Sequence, residues 1–156
     1  MPTKRSWREK LHDSKGLPKV EKIEGKMTAR WGEGTMVIPA PIEVDEIMRG
    51  VKKGKLITIN EIRALLAKKH GANIACPITT GIFAWIAAGA ASEDEAEGKK
   101  RITPYWRTLK AGGEINPKYP GGLEGVKTRL EAEGHTVIQK GKRMFVRDFE
   151  KSEAKL

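Results

Sequence analysis

Cysteine is nearly missing: Cys76 is the single one in a chain of 156 residues. An intramolecular disulfide and a thiolate metal centre are therefore excluded. Histidine is scarce too. His12, His70 and His135 are widely separated and show no ligand spacing, so no metal site and no cofactor is expected. No apolar run approaches the ~20 residues that a membrane helix needs, and no membrane partner is expected. Met1 to Lys10 is basic but lacks the apolar stretch of a secretory signal. The expected location is the cytoplasm, at the nucleoid if the source is bacterial or archaeal.

Acid is also in short supply. Twenty Asp and Glu face 30 Lys and Arg, a net charge of +10. Such an excess favours polyanionic partners, nucleic acid ahead of anionic membrane. What remains is a charged globular chain long enough for one domain with a modest core.

Residues 1–35 are rich in Lys, Arg, Glu and Gly and read as a basic N-terminal arm. Trp7, Met27 and Trp31 are its apolar docking points, and Arg5, Arg8 and Lys10 are cations able to add contacts. Residues 36–149 carry the periodic segments of a single domain, and 150–156 form a polar tail. Met36 to Ile38 is a short strand ended by Pro39 and Pro41. Val44, Ile47, Met48 and Val51 make one apolar stripe and predict a helix over 42–51. Thr58 and Glu61 have the spacing of a capping box, opening a helix that Gly71 stops. Pro77 suits the first turn of a further helix, expected to reach about Ala91 with Ile78, Ile82, Trp85, Ile86 and Gly89 inward.

Two helices across a short Gly-containing turn match a helix-turn-helix, the second being the recognition helix. Any two-helix corner would match equally well. Residues 92–100 switch from acidic to basic and read as an exposed loop, followed by an extended stretch over 102–109. Gly121-Gly122 opens another helix, with Leu123, Val126 and Leu130 inward. Thr136–Gln139 and Arg143–Arg147 flank Lys140-Gly141-Lys142, a β-hairpin and candidate wing. The expected fold class is α+β, mainly helical: a winged helix-turn-helix with a C-terminal β-hairpin wing and an N-terminal basic arm.

The order of these motifs resembles the DNA-binding domain of the O6-alkylguanine-DNA alkyltransferases across roughly residues 40–135. Gly54 to Thr58 matches the entry to the first helix of the helix-turn-helix, and Pro77 to Ala88 matches the recognition helix. Pro104-Tyr105-Trp106-Arg107 stands at the family's Pro-Cys-His-Arg. Tyr119-Pro120-Gly121-Gly122-Leu123, Lys127 and Glu133-Gly134-His135 match the motifs that follow. The departures are specific. Tyr105 replaces the alkyl-accepting Cys and Trp106 its activating His, so Glu133 has lost the His it would orient. Gly81 falls at the family's Arg finger and Ile59 at its phosphate-rotating Tyr. The chain is similar to the alkyltransferase-like proteins in lacking the chemistry and departs from them at recognition.

The resemblance implies a base pocket formed by Tyr105, Trp106, Arg107, Tyr119 and Glu133. The two aromatics either stack on an extruded base, worth ~1–3 kcal/mol, or fill the space that it would enter. Thr79, Thr80 and Gly81 open the proposed recognition helix with groups suited to phosphate or base edges. Lys68, Lys69, Lys99, Lys100, Arg101, Lys140, Lys142 and Arg143 are the candidate phosphate contacts.

The expected function is non-enzymatic binding of duplex DNA, with recognition of alkylated or distorted bases and recruitment of repair proteins as the family analogy. The pattern specifies no oligomeric state. A regulatory or architectural DNA-binding module is the alternative, and a Cys76-dependent alkyltransferase a more distant one. A phenol and an indole cannot replace a thiolate near neutral pH. The intact mass of the protein is therefore expected to stay unchanged after incubation with O6-alkylguanine DNA, and mass spectrometry would detect transfer to any residue.

Overall fold

The computed structural model describes residues 6–14 and 16–156. Arg5, read as an arm cation, lies outside them. The described chain is α+β. In order it forms α1 (Trp7–His12), β1 (Lys19–Lys22), α2 (Met27–Trp31), β2 (Thr35–Ile38), α3 (Pro41–Arg49), β3 (Ile57–Thr58), α4 (Ile59–His70) and β4 (Ile74–Ala75). Then follow α5 (Pro77–Ala96), a 3-10 turn (Tyr105–Arg107), β5 (Thr108–Leu109), a 3-10 turn (Ala111–Gly113), α6 (Gly122–Ala132), β6 (Val137–Lys140), β7 (Arg143–Val146) and a last 3-10 turn (Phe149–Ser152).

Among the described residues, three small sheets brace the helices. β1 pairs antiparallel with β2, and β2 pairs parallel with β4. β3 pairs parallel with β5, which joins the entry of α4 to the end of the aromatic motif. β6 and β7 form the hairpin, closed after Lys140↔Arg143 by Gly141 at φ 63°.

Local chemistry places α4 and α5. The Thr58 hydroxyl accepts from the Glu61 N–H at 3.3 Å, and the Thr58 N–H donates to the Glu61 carboxylate at 3.1 Å, so the expected capping box forms. Gly71 stops α4 in the left-handed region, at φ 65°. Pro77 opens α5, where its missing N–H removes no helical bond.

α5 differs from its sequence reading in two ways. It runs to Ala96 rather than Ala91, so most of the expected 92–100 loop is helical. Four acids at a helix C-terminus oppose the macrodipole. Arg8 of α1 offsets them, bonding Glu97 at 2.6 Å and lying 3.5 Å from Asp94, and Lys99 reaches Asp94 at 3.3 Å. The buried face also differs. Ala84, Ala87, Ala88, Ala90 and Ala91 are sealed, whereas Ile78, Ile82 and Trp85 are 59%, 44% and 38% exposed. Of the five residues expected inward, only Ile86 and Gly89 are buried. Small side chains let α5 approach α3 and α1 closely, and the bulky stripe turns outward.

The segment read as an arm carries structure of its own. Leu11 is 4% exposed, and the Trp7 ring meets Trp85 edge-on at 4.8 Å between centroids. β1 extends the sheet of β2 and β4. The 150–156 segment is also tied down: Ala154 donates to the Leu56 carbonyl and Leu56 to that of Ser152, both at 2.8 Å.

Gly89 is required by the α1 contact, because a β-carbon there would lie inside the Trp7 indole. Gly89→Leu is therefore expected to displace α1 and cost about 1–3 kcal/mol through overpacking. A lower urea midpoint and a shifted tryptophan emission would report it.

Candidate nucleic-acid interface

Pro104 does not lead into an extended strand across the motif. Residues 105–107 form a 3-10 turn before β5 begins. The turn sends Tyr105 inward and aims Trp106 and Arg107 at the end of α6. Arg107 donates through Nε to Glu133 Oε1 at 2.9 Å and through Nη2 to Oε2 at 2.7 Å, a two-pronged ion pair. Its Nη1 reaches the Val51 carbonyl at 2.7 Å. Trp106 Nε1 donates to Glu133 Oε2 at 3.0 Å, and the Gly54 N–H approaches Oε1 at 3.4 Å.

Glu133 is thus not left without a partner, as the loss of the histidine suggests. The indole N–H donates to one carboxylate oxygen, and the guanidinium donates to both. Burial raises the Glu133 pKa, but bonds from Arg107 and Trp106 outweigh it and hold the group below the usual range. His135 lies near the same carboxylate; burial lowers its pKa, and its Nε2 has no partner among the described residues.

All five base-pocket candidates meet in one cluster. The Tyr105 ring stands edge-on to Trp106 at 5.3 Å and to Tyr119 at 6.2 Å, and its hydroxyl lies 3.4 Å from the Pro120 carbonyl. Arg129 covers both motif aromatics, 4.6 Å from the Trp106 centroid and 5.5 Å from that of Tyr105. Tyr105 is 2% and Tyr119 3% exposed. Burial raises both phenol pKa values, so each ring is a neutral phenol at physiological pH. A neutral, enclosed phenol is no substitute for a thiolate nucleophile.

The recognition-helix candidates separate. Thr80 is fully buried and its hydroxyl donates to the Cys76 carbonyl at 2.7 Å, so it faces its own helix rather than a ligand. The Thr79 hydroxyl is buried without a partner. Gly81 is partly exposed, with open space beside it. Around Gly81, the exposed stripe of α5 and the 110–118 loop form a groove of about 330 Å³, lined by Ile78, Gly81, Ile82, Trp85, Lys110, Asn116 and Lys118. The Trp85 indole donates to the Lys118 carbonyl at 3.1 Å and fixes that wall. Lys110 and Lys118 are exposed, and sequence reasoning missed them because their segment reads only as turn chemistry. Their positive charge beside the Asn116-Pro117 turn was the available signal.

The eight candidate phosphate contacts do not form one face. Lys99, Lys100 and Arg101 follow the far end of α5, about 30 Å from Thr79 for a helix of 20 residues. Lys69 is bound to Glu43 at 2.8 Å, beside His70, and Lys68 shares that end of α4. Arg143 is bound two-pronged by Glu114, at 2.7 and 3.0 Å. Lys140 sits over the Phe145 ring. Lys68, Lys100, Arg101, Lys140 and Lys142 make no ion pair among the described residues. Cys76 is buried at the start of α5. Among the described residues no cluster of His, Cys, Asp or Glu has metal-binding form, and no helix is long and apolar enough to cross a membrane.

No family model matches the chain, and no curated protein matches it in sequence. Solved structures do match in fold. The chain is similar to S. pombe Atl1 in complex with damaged DNA containing O6-carboxymethylguanine, at 19% identity and a TM-score of 0.51. It is also similar to S. pombe ATL in complex with DNA, at 20% identity and a TM-score of 0.53. Each likeness covers 74% of this chain and 94% of the other.

Breaking one side of the Arg107–Glu133 pair leaves a buried charge. Glu133→Ala is expected to cost about 3–5 kcal/mol at neutral pH. The folded pKa of Glu133 lies below its unfolded value. Its stabilisation is therefore present above the ordinary carboxylate range and lost as pH falls through the folded pKa. Urea unfolding should show the deficit of the variant at neutral pH shrinking in acid.

Proposed function

We propose that this chain is a non-enzymatic, alkyltransferase-like protein that binds duplex DNA and responds to alkylated or distorted bases. In this reading α4, β4 and α5 are a helix-turn-helix, and the β6–β7 hairpin is its wing. One observation carries it. The motif that would hold a nucleophile holds two aromatics bonded into a Glu133–Arg107–Arg129 cage, in a chain with the fold of two DNA-bound proteins. The cage fills the nucleophile's place, so binding remains and group transfer does not.

The wing is connected to the helix face. Ile115 donates to the Met144 carbonyl at 2.9 Å, and Glu114 bridges to Phe145. The 110–118 loop so anchored is the wall of the α5 groove. In this reading the helix, the loop and the hairpin contribute Lys110, Lys118, Lys140 and Lys142 to DNA binding. The cage residues do not line the α5 groove. Repair proteins are the partners that such a sensor would recruit.

Fluorescence anisotropy with intact and O6-methylguanine duplexes tests the reading. Binding should weaken steeply with salt and favour the modified duplex. Equal affinity for the two would make the protein an architectural binder, and no binding at low salt would overturn the reading. Lys110→Ala with Lys118→Ala should weaken both duplexes alike and reduce the salt slope by about 2.

A further inference from the structure

The turn that follows α3 concentrates charge of one sign. Between Arg49 and Lys55 stand four cations and no acid. Arg49 is paired with Asp45 at 2.7 Å. Lys52, Lys53 and Lys55 are exposed and make no ion pair among the described residues. The fold adds to this charge instead of neutralising it. The tail brings Lys155 to the same place, and Lys52, Lys55 and Lys155 line one cleft of about 330 Å³ with Gly50, Glu153 and Ala154. Three ammonium groups thus share the cleft with one carboxylate. None of its lining residues belongs to the α5 groove.

Both walls of the cleft are held by the framework. The Lys55 N–H donates to the Lys52 carbonyl at 2.9 Å, which closes a tight turn with Gly54 at φ 84°. The Glu133 network fixes the same turn. Arg107 donates to the Val51 carbonyl at 2.7 Å, and the Gly54 N–H approaches Glu133 at 3.4 Å. The tail wall is pinned through Leu56, which donates to Ser152 and accepts from Ala154, both at 2.8 Å. The lysine stems therefore start from fixed backbone, and little ordering is left for a ligand to impose.

A cleft lined by one excess charge focuses field lines and concentrates counter-ions. This one holds no aromatic ring, amide or hydroxyl side chain, so nothing in it selects a base or a sugar. Ammonium groups act as point charges and suit phosphate without the planar geometry that a guanidinium imposes. The matching ligand is a phosphate group read by charge alone, which is what a nucleic-acid backbone presents.

We propose that the cleft of Lys52, Lys55 and Lys155 is a phosphate-binding site for nucleic-acid backbone, separate from the α5 groove. This inference rests on the DNA-binding reading and gives the protein a second point of contact. The phosphates belong either to the duplex bound at α5, where it runs on past that groove, or to a second duplex held at the same time.

Lysine acetylation of the full chain, read by mass spectrometry, tests the site. An intact duplex at low salt should slow acetylation of Lys52, Lys55 and Lys155, while exposed Lys26 at the start of α2 keeps its rate. Combining Lys52→Gln, Lys55→Gln and Lys155→Gln should lower the salt slope of binding by about 1–3, one for each phosphate neutralised. The urea midpoint of this triple variant should not fall, because the three side chains are exposed. An immobilised duplex and a labelled second one separate the two sources. Retention of the label by the wild type but not by the triple variant assigns the phosphates to a second duplex, and protection without retention assigns them to the first.

Duplex binding that leaves the three lysines as reactive as in the free protein, or that protects Lys26 equally, overturns the cleft site and leaves DNA binding standing. An unchanged salt slope in the triple variant overturns it as well. Absence of duplex binding at low salt overturns both readings.

Discussion

The carboxylate of Glu133 is the point on which the candidate site depends. It accepts from Arg107, from Trp106 and, at longer range, from Gly54. Arg107 continues the link to the Val51 carbonyl. Four segments thereby meet at one side chain: the loop before β3, the motif turn, α6, and through β3–β5 pairing the entry of α4. A buried charge demands this many donors, since unpaired it would cost several kcal/mol. The geometry of the motif turn follows from that demand.

The same network accounts for the packing of the motif turn. Tyr105 is enclosed by Trp106 and Tyr119, and Arg129 lies over the two motif rings. The aromatic volume and the indole donor supply packing and a hydrogen bond. The cluster is a brace between the motif turn and the end of α6, and the α5 groove is a separate surface. That surface is held at two points, by Trp85 on Lys118 and by the hairpin on the 114–115 backbone.

Much of this was legible in the sequence. The capping box at Thr58, the stop at Gly71, Pro77 at a helix start and the 137–146 hairpin all rest on local backbone chemistry, which acts over a few residues. The convergence of Tyr105, Trp106, Arg107, Tyr119 and Glu133 followed from the motif order. The inward face of α5 did not follow. Ranking residues by bulk put Ile78, Ile82 and Trp85 in the core, whereas close helix packing selected the alanines. The end of α5 was also misplaced, because its acidic last turn is sustained by Arg8, 85 residues away in sequence from Glu93.

Charge shows the same division. Composition alone determined a net charge of +10 and excluded disulfide and cysteine-based metal chemistry. Motif order singled out Tyr105 and Trp106 as one aromatic pair. Only the tertiary structure decided which cations are free to act. Lys69, Lys99 and Arg143 are drawn to Glu43, Asp94 and Glu114, while Lys110 and Lys118 stand open beside an apolar stripe. Local propensity and composition are properties of neighbouring residues or of the whole chain. Burial and pairing are settled by residues distant in sequence that the fold brings together.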